Sequence, residues 1–154
     1  MPTTKCGFDD SSEVSGADLL VQFGPTLFVD IGFDPTYVPS QGKPAKPPTP
    51  GITQVRALVD TGATESCIDS GLAMQLSLPI IDRRALGGVS GIHHANVHLA
   101  QIRVPSLLFT IYGAFAAVNL AAGGQPHLAL IGRTFLRSFT MSYEGRTGTV
   151  TITS

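Results

Sequence analysis

The stretch that decides the fold spans residues 56–63 and reads RALVDTGA. Every second residue from Val55 to Val59 is apolar, and this period of two is typical of a strand with one buried face. The run ends abruptly at Asp60, and Gly62 allows the backbone to turn or to approach another chain closely. Because an isolated carboxylate is costly to bury, Asp60 needs either bonding partners or a functional reason.

The rest of the chain predicts a mainly β protein with short helices. Seventeen glycines and eleven prolines favour strands joined by tight turns. Helical turns are predicted over Ser70–Leu76, with Asp69 as the cap, and over residues 133–139. Apolar patterning predicts strands over residues 27–33, 92–104, 106–112, 115–121 and 127–131, and two short strands over 140–153.

The length of 154 residues fits one domain behind a short leader. Residues 1–16 are polar and small, so we predict a disordered or removable leader before a folded domain over residues 17–154. Residues 34–51 carry six prolines, which predicts a surface insertion between strands. That insertion is either a linker or a docking segment in the polyproline II conformation.

Composition argues against several classes of partner. The net charge is −1 and 14% of residues are charged, so the basic face that a nucleic acid requires is not expected. No apolar run reaches the ~20 residues of a membrane span, and the N-terminus has no apolar signal-peptide core. We therefore expect a soluble, cytoplasmic protein in which Cys6 and Cys67 are unpaired thiols.

Other site chemistries have weaker support in the sequence. The histidines lack a Cys-x-x-Cys or His-Glu-x-x-His context, so no metal site and no cofactor are expected. Ser66 and Cys67 have no recognisable oriented base, which argues against a nucleophilic enzyme. The histidines are expected to face solvent on strands, at His93, His94, His98 and His127.

Three segments together resemble the retroviral-type aspartic proteases, or retropepsins, including their bacterial single-domain relatives. RALVDTGA is similar to their active-site strand and loop, and LALIGRTFL at 128–136 to their apolar strand and short helix. Residues 86–104, LGGVSGIHHANVHLAQIRV, are similar to their flap, a glycine-tipped hairpin that closes over substrate. The likeness covers roughly residues 25–154 and implies a closed β-barrel of the acid-protease fold, with one lobe per chain.

The resemblance also implies roles for the residues of the Asp-Thr-Gly-Ala loop. Asp60 would be the catalytic carboxylate, and Thr61 would interlock with its twin across a dimer axis. Gly62 would present its carbonyl to the substrate backbone, and Ala63 would lie beside the catalytic pair.

A second set of implied roles concerns the support, the flap and the substrate groove. Gly132 and Arg133 would brace the active-site loop from below. The family has an acidic partner for this arginine, but Thr64 and Glu65 stand in that region here, which leaves the partner open. The flap and groove would comprise Gly87, Gly88, Val89, Ser90, Gly91, Ile92 and Ile131.

The function implied is that of a homodimeric aspartic endopeptidase acting on polypeptides. Water needs one group to activate it and another to protonate the carbonyl, and two carboxyls that share a proton supply both. The chain contains one Asp-Thr-Gly, so the second carboxyl must come from a second copy. The alternative is a catalytically silent module that dimerises or binds peptides.

Overall fold

The computed structural model describes residues 1–39, 46–88 and 91–154, and strands dominate this part of the chain. The helices in it are α1 (Gly16–Phe23), α2 (Ser70–Gln75) and α3 (Arg133–Leu136), and none is long and apolar enough to cross a membrane. The prediction of a mainly β protein is confirmed. Its strands are β1 (Thr3–Lys5), β2 (Thr26–Gly32), β3 (Ile52–Val59), β4 (Cys67–Asp69), β5 (Ile80–Gly88), β6 (Gly91–Val104), β7 (Phe109–Val118), β8 (Ala129–Ile131), β9 (Thr140–Glu144) and β10 (Thr149–Thr153).

Six strands close into a barrel, as predicted. Strands β2, β3, β8, β4, β7 and β6 are hydrogen-bonded in that order, and a further pairing of β2 with β6 joins the two ends. The β3–β8 and β4–β7 pairs are parallel and the other pairs are antiparallel. Strand β5 lies outside the ring and forms a hairpin with β6.

The core fills the inside of this barrel with the alternate residues of each strand. Val29, Ile31 and Ala57 are completely buried there, as are Ile102 and Ile131. Burying a side chain of the size of valine or isoleucine contributes roughly 1.5–3 kcal/mol. The barrel therefore holds β3 and β8 rigidly at the ends where the Asp60 loop begins.

The N-terminal segment is ordered, so the expectation of disorder over residues 1–16 is wrong. Strand β1 pairs with β10, from Thr3 opposite Thr153 to Lys5 opposite Thr151. The Cys6 side chain is buried, and its backbone N–H donates to the Val150 carbonyl at 2.9 Å. Polar residues gain order here because β10 satisfies their backbone groups, and a three-stranded sheet β1-β10-β9 results.

Two elements differ from the prediction and one cap is confirmed. Helix α1 was not predicted, and the Ser15 hydroxyl caps it by accepting the Asp18 N–H at 3.1 Å. The single strand β7 covers most of the two strands predicted over residues 106–112 and 115–121. Gly113, between those two ranges, has φ 127°, a conformation that favours glycine, and the strand continues through it. Helix α2 has the predicted cap, Asp69, whose carboxylate accepts the Leu72 N–H at 3.0 Å.

The described ends of the proline-rich insertion are fastened to the barrel. The Asp34 carboxylate accepts the Thr49 N–H at 2.9 Å and both the N–H and the hydroxyl of Thr36. These bonds, with that from the Thr49 backbone as the largest cause, lower the pKa of Asp34 to about 2. Pro48 is buried, and the Gly51 N–H donates to the Ile31 carbonyl at 3.0 Å, so the second end of the insertion is also attached to the barrel.

Candidate active site

The Asp60 carboxylate emerges where the buried strand β3 ends. The Asp60 N–H donates to the Ile131 carbonyl at 2.9 Å and so extends the β3–β8 pairing by one residue. The side chain is half-buried, and its Oδ1 accepts the Gly62 N–H at 2.8 Å. No described residue donates to Oδ2. One carboxylate oxygen is thus fixed by the loop while the other is left for an external group.

The loop that follows is compact and leaves its tip exposed. The Ala63 N–H donates to the Asp60 carbonyl at 3.2 Å and closes a turn. Thr61 and Gly62 are exposed at the tip, whereas Ala63 is half-buried. A Cβ at Gly62 would lie 3.1 Å from the Asp60 Oδ1, so glycine leaves room for the carboxylate that its own N–H holds.

Arg133, the first residue of α3, ties the helix to this loop. Its guanidinium donates to the Thr61 carbonyl oxygen at 2.7 Å and to the Thr64 Oγ1 at 3.0 Å. Its backbone N–H donates to the Ala63 carbonyl at 2.9 Å. The side-chain partners of Arg133 are thus two neutral oxygens, of Thr61 and Thr64, and not the carboxylate of Glu65. The Glu65 carboxylate accepts the Thr134 hydroxyl at 3.4 Å.

Gly132 fits where no larger residue does. A Cβ at this position would lie 2.6 Å from the backbone carbon and oxygen of Glu65, closer than atoms can pack without a shift. Its N–H donates to the Ser66 Oγ at 3.0 Å. This hydrogen bond joins the residue before α3 to the residue before β4. The Ser66 hydroxyl is therefore used in a structural contact.

Cys67 lies close to Asp60 but has the properties of an unreactive thiol. Burial, and to a smaller extent the nearby Asp60 charge, raise the pKa of Cys67 to about 11. The thiol is therefore protonated at neutral pH, and the protonated form is a poor nucleophile. Both Cys67 and Cys6 are free of disulfide bonds.

Ile131 does not line the groove, so that part of the predicted site is wrong. Its side chain is 0% exposed and packs in the barrel core. Successive side chains of a strand point to opposite faces, so the half-buried Leu130 faces away from the core. The sequence signal that was missed is the alternation of strand faces. Leu58 lies two residues before Asp60 and so points to the same side of the sheet. Leu130 is paired with Leu58 and therefore also lies on that side.

Leu130 belongs to a line of paired residues that crosses the sheet, which we call the groove row. The pairs run from Leu58 to Leu130, from Leu130 to Cys67, from Cys67 to Ala116 and from Ala116 to Val97. These side chains lie on the sheet face opposite the core. The groove row leads from the Asp60 strand to the β5–β6 hairpin. Its members Leu58, Leu130, Cys67 and Ala116 are half-buried, whereas Val97 is only 1% exposed.

The β5–β6 hairpin occupies the position predicted for the flap. Its pairing continues from Ile80 opposite His98 to Gly88 opposite Gly91. Gly91 has φ 112°, a conformation that favours glycine, and Ile92 is 73% exposed. Gly87 is also exposed. The predicted flap residues Val89 and Ser90 lie outside the described residues.

The four histidines divide into two environments. His93 and His94 are exposed, but His98 and His127 are only 1% and 2% exposed, so the expectation of solvent-facing rings is wrong for that pair. The His98 Nδ1–H donates to the Leu78 carbonyl at 2.9 Å. Within the described part of the chain, no three His, Cys, Asp or Glu side chains are grouped to hold a metal ion.

Comparisons with known proteins give one family match and a similar solved structure. A family model described as aspartyl protease matches residues 50–135, which is more than half of the chain. The match begins just before β3 and ends in α3, so it includes the Asp60 loop and its braces. Among solved structures the chain is similar to EIAV protease complexed with the inhibitor HBY-793, with 18% identity, a TM-score of 0.47, and coverage of 74% of this chain and 86% of that one. No curated protein matches.

Proposed function

The chain belongs to the aspartyl protease family, and from that premise we propose that two copies of it form one aspartic endopeptidase. The observation that carries the proposal is the setting of Asp60. A half-exposed carboxylate stands at the end of a buried strand, on a loop braced by Arg133. The chain has a single Asp-Thr-Gly, so each copy contributes one Asp60 and neither copy is complete alone.

A shared site provides the acid and the base that peptide hydrolysis requires. Two carboxylates ~3 Å apart at an effective dielectric of ~20 repel by roughly 5 kcal/mol. This repulsion corresponds to about four pKa units, so such a pair holds one proton over a broad pH range, as is general for aspartic proteases. The exposed Thr61 and Gly62 are free to meet their twins across a two-fold axis.

The proposed reaction uses that single shared proton. The ionised Asp60 takes a proton from a water molecule as the water oxygen attacks the peptide carbonyl carbon. The protonated Asp60 of the second copy gives its proton to the carbonyl oxygen, which produces a tetrahedral diol. When the C–N bond breaks, one diol hydroxyl returns its proton to a carboxylate and the leaving nitrogen gains a proton from the other carboxyl. The pair is then singly protonated again.

The substrate is an extended polypeptide with apolar side chains near the cut. The groove row offers apolar contacts through the half-buried Leu58 and Leu130, and an extended peptide places alternate side chains on one face. The exposed Gly87 and Ile92 on the hairpin would cover the peptide from the other side. The carbonyl of Gly62 would accept a hydrogen bond from the peptide backbone.

Digestion of an unfolded protein tests this function. Purified protein is incubated with reduced, denatured substrate, with and without a pepstatin-like inhibitor, beside the variants Asp60→Asn and Asp18→Asn. Asp18 is an exposed carboxylate in α1 and serves as the matched control. We expect inhibitor-sensitive cleavage by wild type and Asp18→Asn and a loss of ~10²-fold or more in Asp60→Asn. Cleavage by Asp60→Asn at the wild-type rate would exclude the assignment, and no cleavage by a folded wild-type dimer would favour a silent peptide-binding module.

A further inference from the structure

A cavity of about 530 Å³ lies at the base of the β5–β6 hairpin, away from the Asp60 loop. Strand β5, strand β6, the end of β7 and helix α2 all contribute to its walls. Among the described strands, the pairing of β6 with β7 begins at Val97. The cavity lies beside the preceding part of β6.

The cavity is continuous with the groove row. Ala95 lies two residues from Val97 on β6, and Val118 lies two residues from Ala116 on β7, so each shares a strand face with a member of that row. Ala95 and Val118 both line the cavity. A peptide that lies on the groove row therefore reaches the cavity with a side chain a few residues from the cut.

The ionisable lining of the cavity is basic. Arg83, His93, His94 and His98 line it, and no aspartate or glutamate is among its lining residues. His98 is almost completely buried, and its Nδ1–H donates to the Leu78 carbonyl, so His98 has a structural hydrogen bond of its own.

The polar groups of the lining are left with donors to offer. The Ser70 hydroxyl donates to the Asn119 Oδ1 at 2.5 Å, so the Asn119 amide nitrogen keeps its two N–H groups for a ligand. Arg83 adds a planar guanidinium, which matches the two oxygens of a carboxylate.

The nearest acidic groups do not neutralise this lining from within. The buried Asp69 at the start of α2 already accepts the backbone N–H groups of Leu72, Leu120 and Ala121. The Asp82 carboxylate accepts the backbone N–H of Arg83 at 2.7 Å and is not part of the lining. Among the described lining residues, the Arg83 guanidinium therefore has no acidic partner.

We propose that this cavity binds a carboxylate, supplied by an aspartate or glutamate side chain of the peptide substrate a few residues from the cut. This inference rests on the proposed protease function and specifies its substrate: an apolar segment with an acidic residue to one side. Arg83 and the Asn119 amide would hold the carboxylate. The apolar contacts of the groove row then fix the peptide register relative to Asp60.

Paired peptides test the proposal in the full-length protein. A peptide cleaved by the wild type is varied from glutamine to glutamate at each position within about four residues of the cut, and kcat/KM is measured for every pair. We expect one position at which glutamate is favoured up to about tenfold, as a charge-assisted, bidentate hydrogen bond from arginine should produce. No such position in the scan would overturn the proposal.

Two arginine variants provide the matched comparison. Arg83 lines the cavity, whereas its exposed neighbour Arg84 does not. In Arg83→Gln the ratio of kcat/KM between the glutamate and the glutamine peptide should fall to within about twofold, because the positive charge that distinguishes the two side chains is removed. Arg84→Gln should retain the preference. An equal loss in both variants would show a diffuse surface field and would contradict a built site.

A binding arm separates this proposal from the protease assignment. Glutarate is titrated into wild type, Arg83→Gln and Arg84→Gln while the histidine ring signals are followed by NMR. If the protein cleaves no peptide but glutarate still shifts the His98 ring signals in an Arg83-dependent way, the protease function is rejected and the carboxylate site is retained. Arg83-dependent glutarate binding without a glutamate preference in cleaved peptides would assign the carboxylate to a free small molecule and overturn the substrate claim.

Discussion

Arg133 and Thr61 lie 72 positions apart in the chain, and the Arg133 guanidinium donates to the Thr61 carbonyl oxygen at 2.7 Å. The same fork reaches the Thr64 Oγ1, so one side chain fixes two points of the loop that carries Asp60. Since the acceptors are neutral, the brace depends on the direction of hydrogen bonds more than on charge pairing. The geometry of the Asp60 loop thus depends on the position of helix α3.

Replacing the brace should impair catalysis more than folding. In Arg133→Gln, the loop loses both guanidinium bonds, and a displacement near 1 Å at a catalytic group can cost on the order of 10²-fold in rate. We expect kcat/KM to fall by about 10- to 100-fold while the circular dichroism spectrum is unchanged. Arg137→Gln, at an exposed position just after the same helix, should behave as wild type. Full activity in Arg133→Gln would contradict the bracing role.

The close approach at Gly132 predicts a steric effect. In Gly132→Ala the added methyl group would stand 2.6 Å from the Glu65 backbone, and relief of such overpacking typically costs 1–3 kcal/mol. We expect a lower free energy of unfolding and weaker activity, measured by urea denaturation and peptide cleavage. Gly145→Ala is the control, because the nearest atom to its Cβ, in the Tyr143 ring, is 3.6 Å away. Equal stability of the two variants would refute the steric argument.

Two neighbouring residues on β8 should separate stability from specificity. Ile131→Ala removes a fully buried side chain, and such truncations cost about 2–5 kcal/mol. Leu130→Ala removes a half-buried side chain of the groove row, so it should cost less stability and instead raise KM for apolar peptides. Urea denaturation and steady-state kinetics on both variants check this contrast. The reverse result would restore Ile131 to the groove.

The buried His127 predicts that stability declines in acid. The Thr26 hydroxyl donates to the Gly24 carbonyl, so it accepts the His127 Nε2–H at 2.9 Å, and the buried Nδ1 has no partner among the described residues. Burial, and then the Arg56 charge, lower the pKa of His127 in the folded protein. The unfolded chain therefore binds the proton more readily, and the contribution of His127 is complete above its unfolded pKa of about 6.5 and is lost progressively below it.

Urea denaturation at pH 7.5 and pH 5.5 measures this effect. The wild-type midpoint should fall at the lower pH, and His127→Gln should show a weaker pH dependence despite lower stability at pH 7.5. His94→Gln, at an exposed ring, should retain the wild-type dependence. If the slope with pH is the same in His127→Gln and wild type, another group is responsible.

The sequence was most informative where its patterns are local. The alternation before Asp60, the capping of α2 by Asp69 and the two strands of the tail were all predictable from neighbouring residues. The run LALI at 128–131 is apolar throughout, so nothing local distinguishes its core face from its groove face. Only pairing with β3 reveals that Leu130, and not Ile131, shares a face with Leu58.

Other features depended on contacts between distant parts of the chain. The polar segment around Thr3 forms a strand because it pairs with β10. The sequence of residues 1–16 alone does not predict this pairing. The same holds for Arg133, whose acceptors belong to a loop that the barrel brings beneath α3. Sequence patterns predicted that Asp60 follows a buried strand, while the structure was needed to identify the residues that hold its loop.

Subunit mixing tests the shared site most directly. Wild-type protein is combined with increasing amounts of Asp60→Asn protein under dilute conditions that allow chains to exchange, and activity is expressed per wild-type chain. With equal amounts, random pairing gives half of the wild-type chains a mutant partner, so a site that needs both Asp60 residues predicts a fall to about half. Addition of Asp18→Asn protein instead should raise total activity in proportion to the chains added. Activity per wild-type chain that stays constant as Asp60→Asn protein is added would contradict a site shared between two copies.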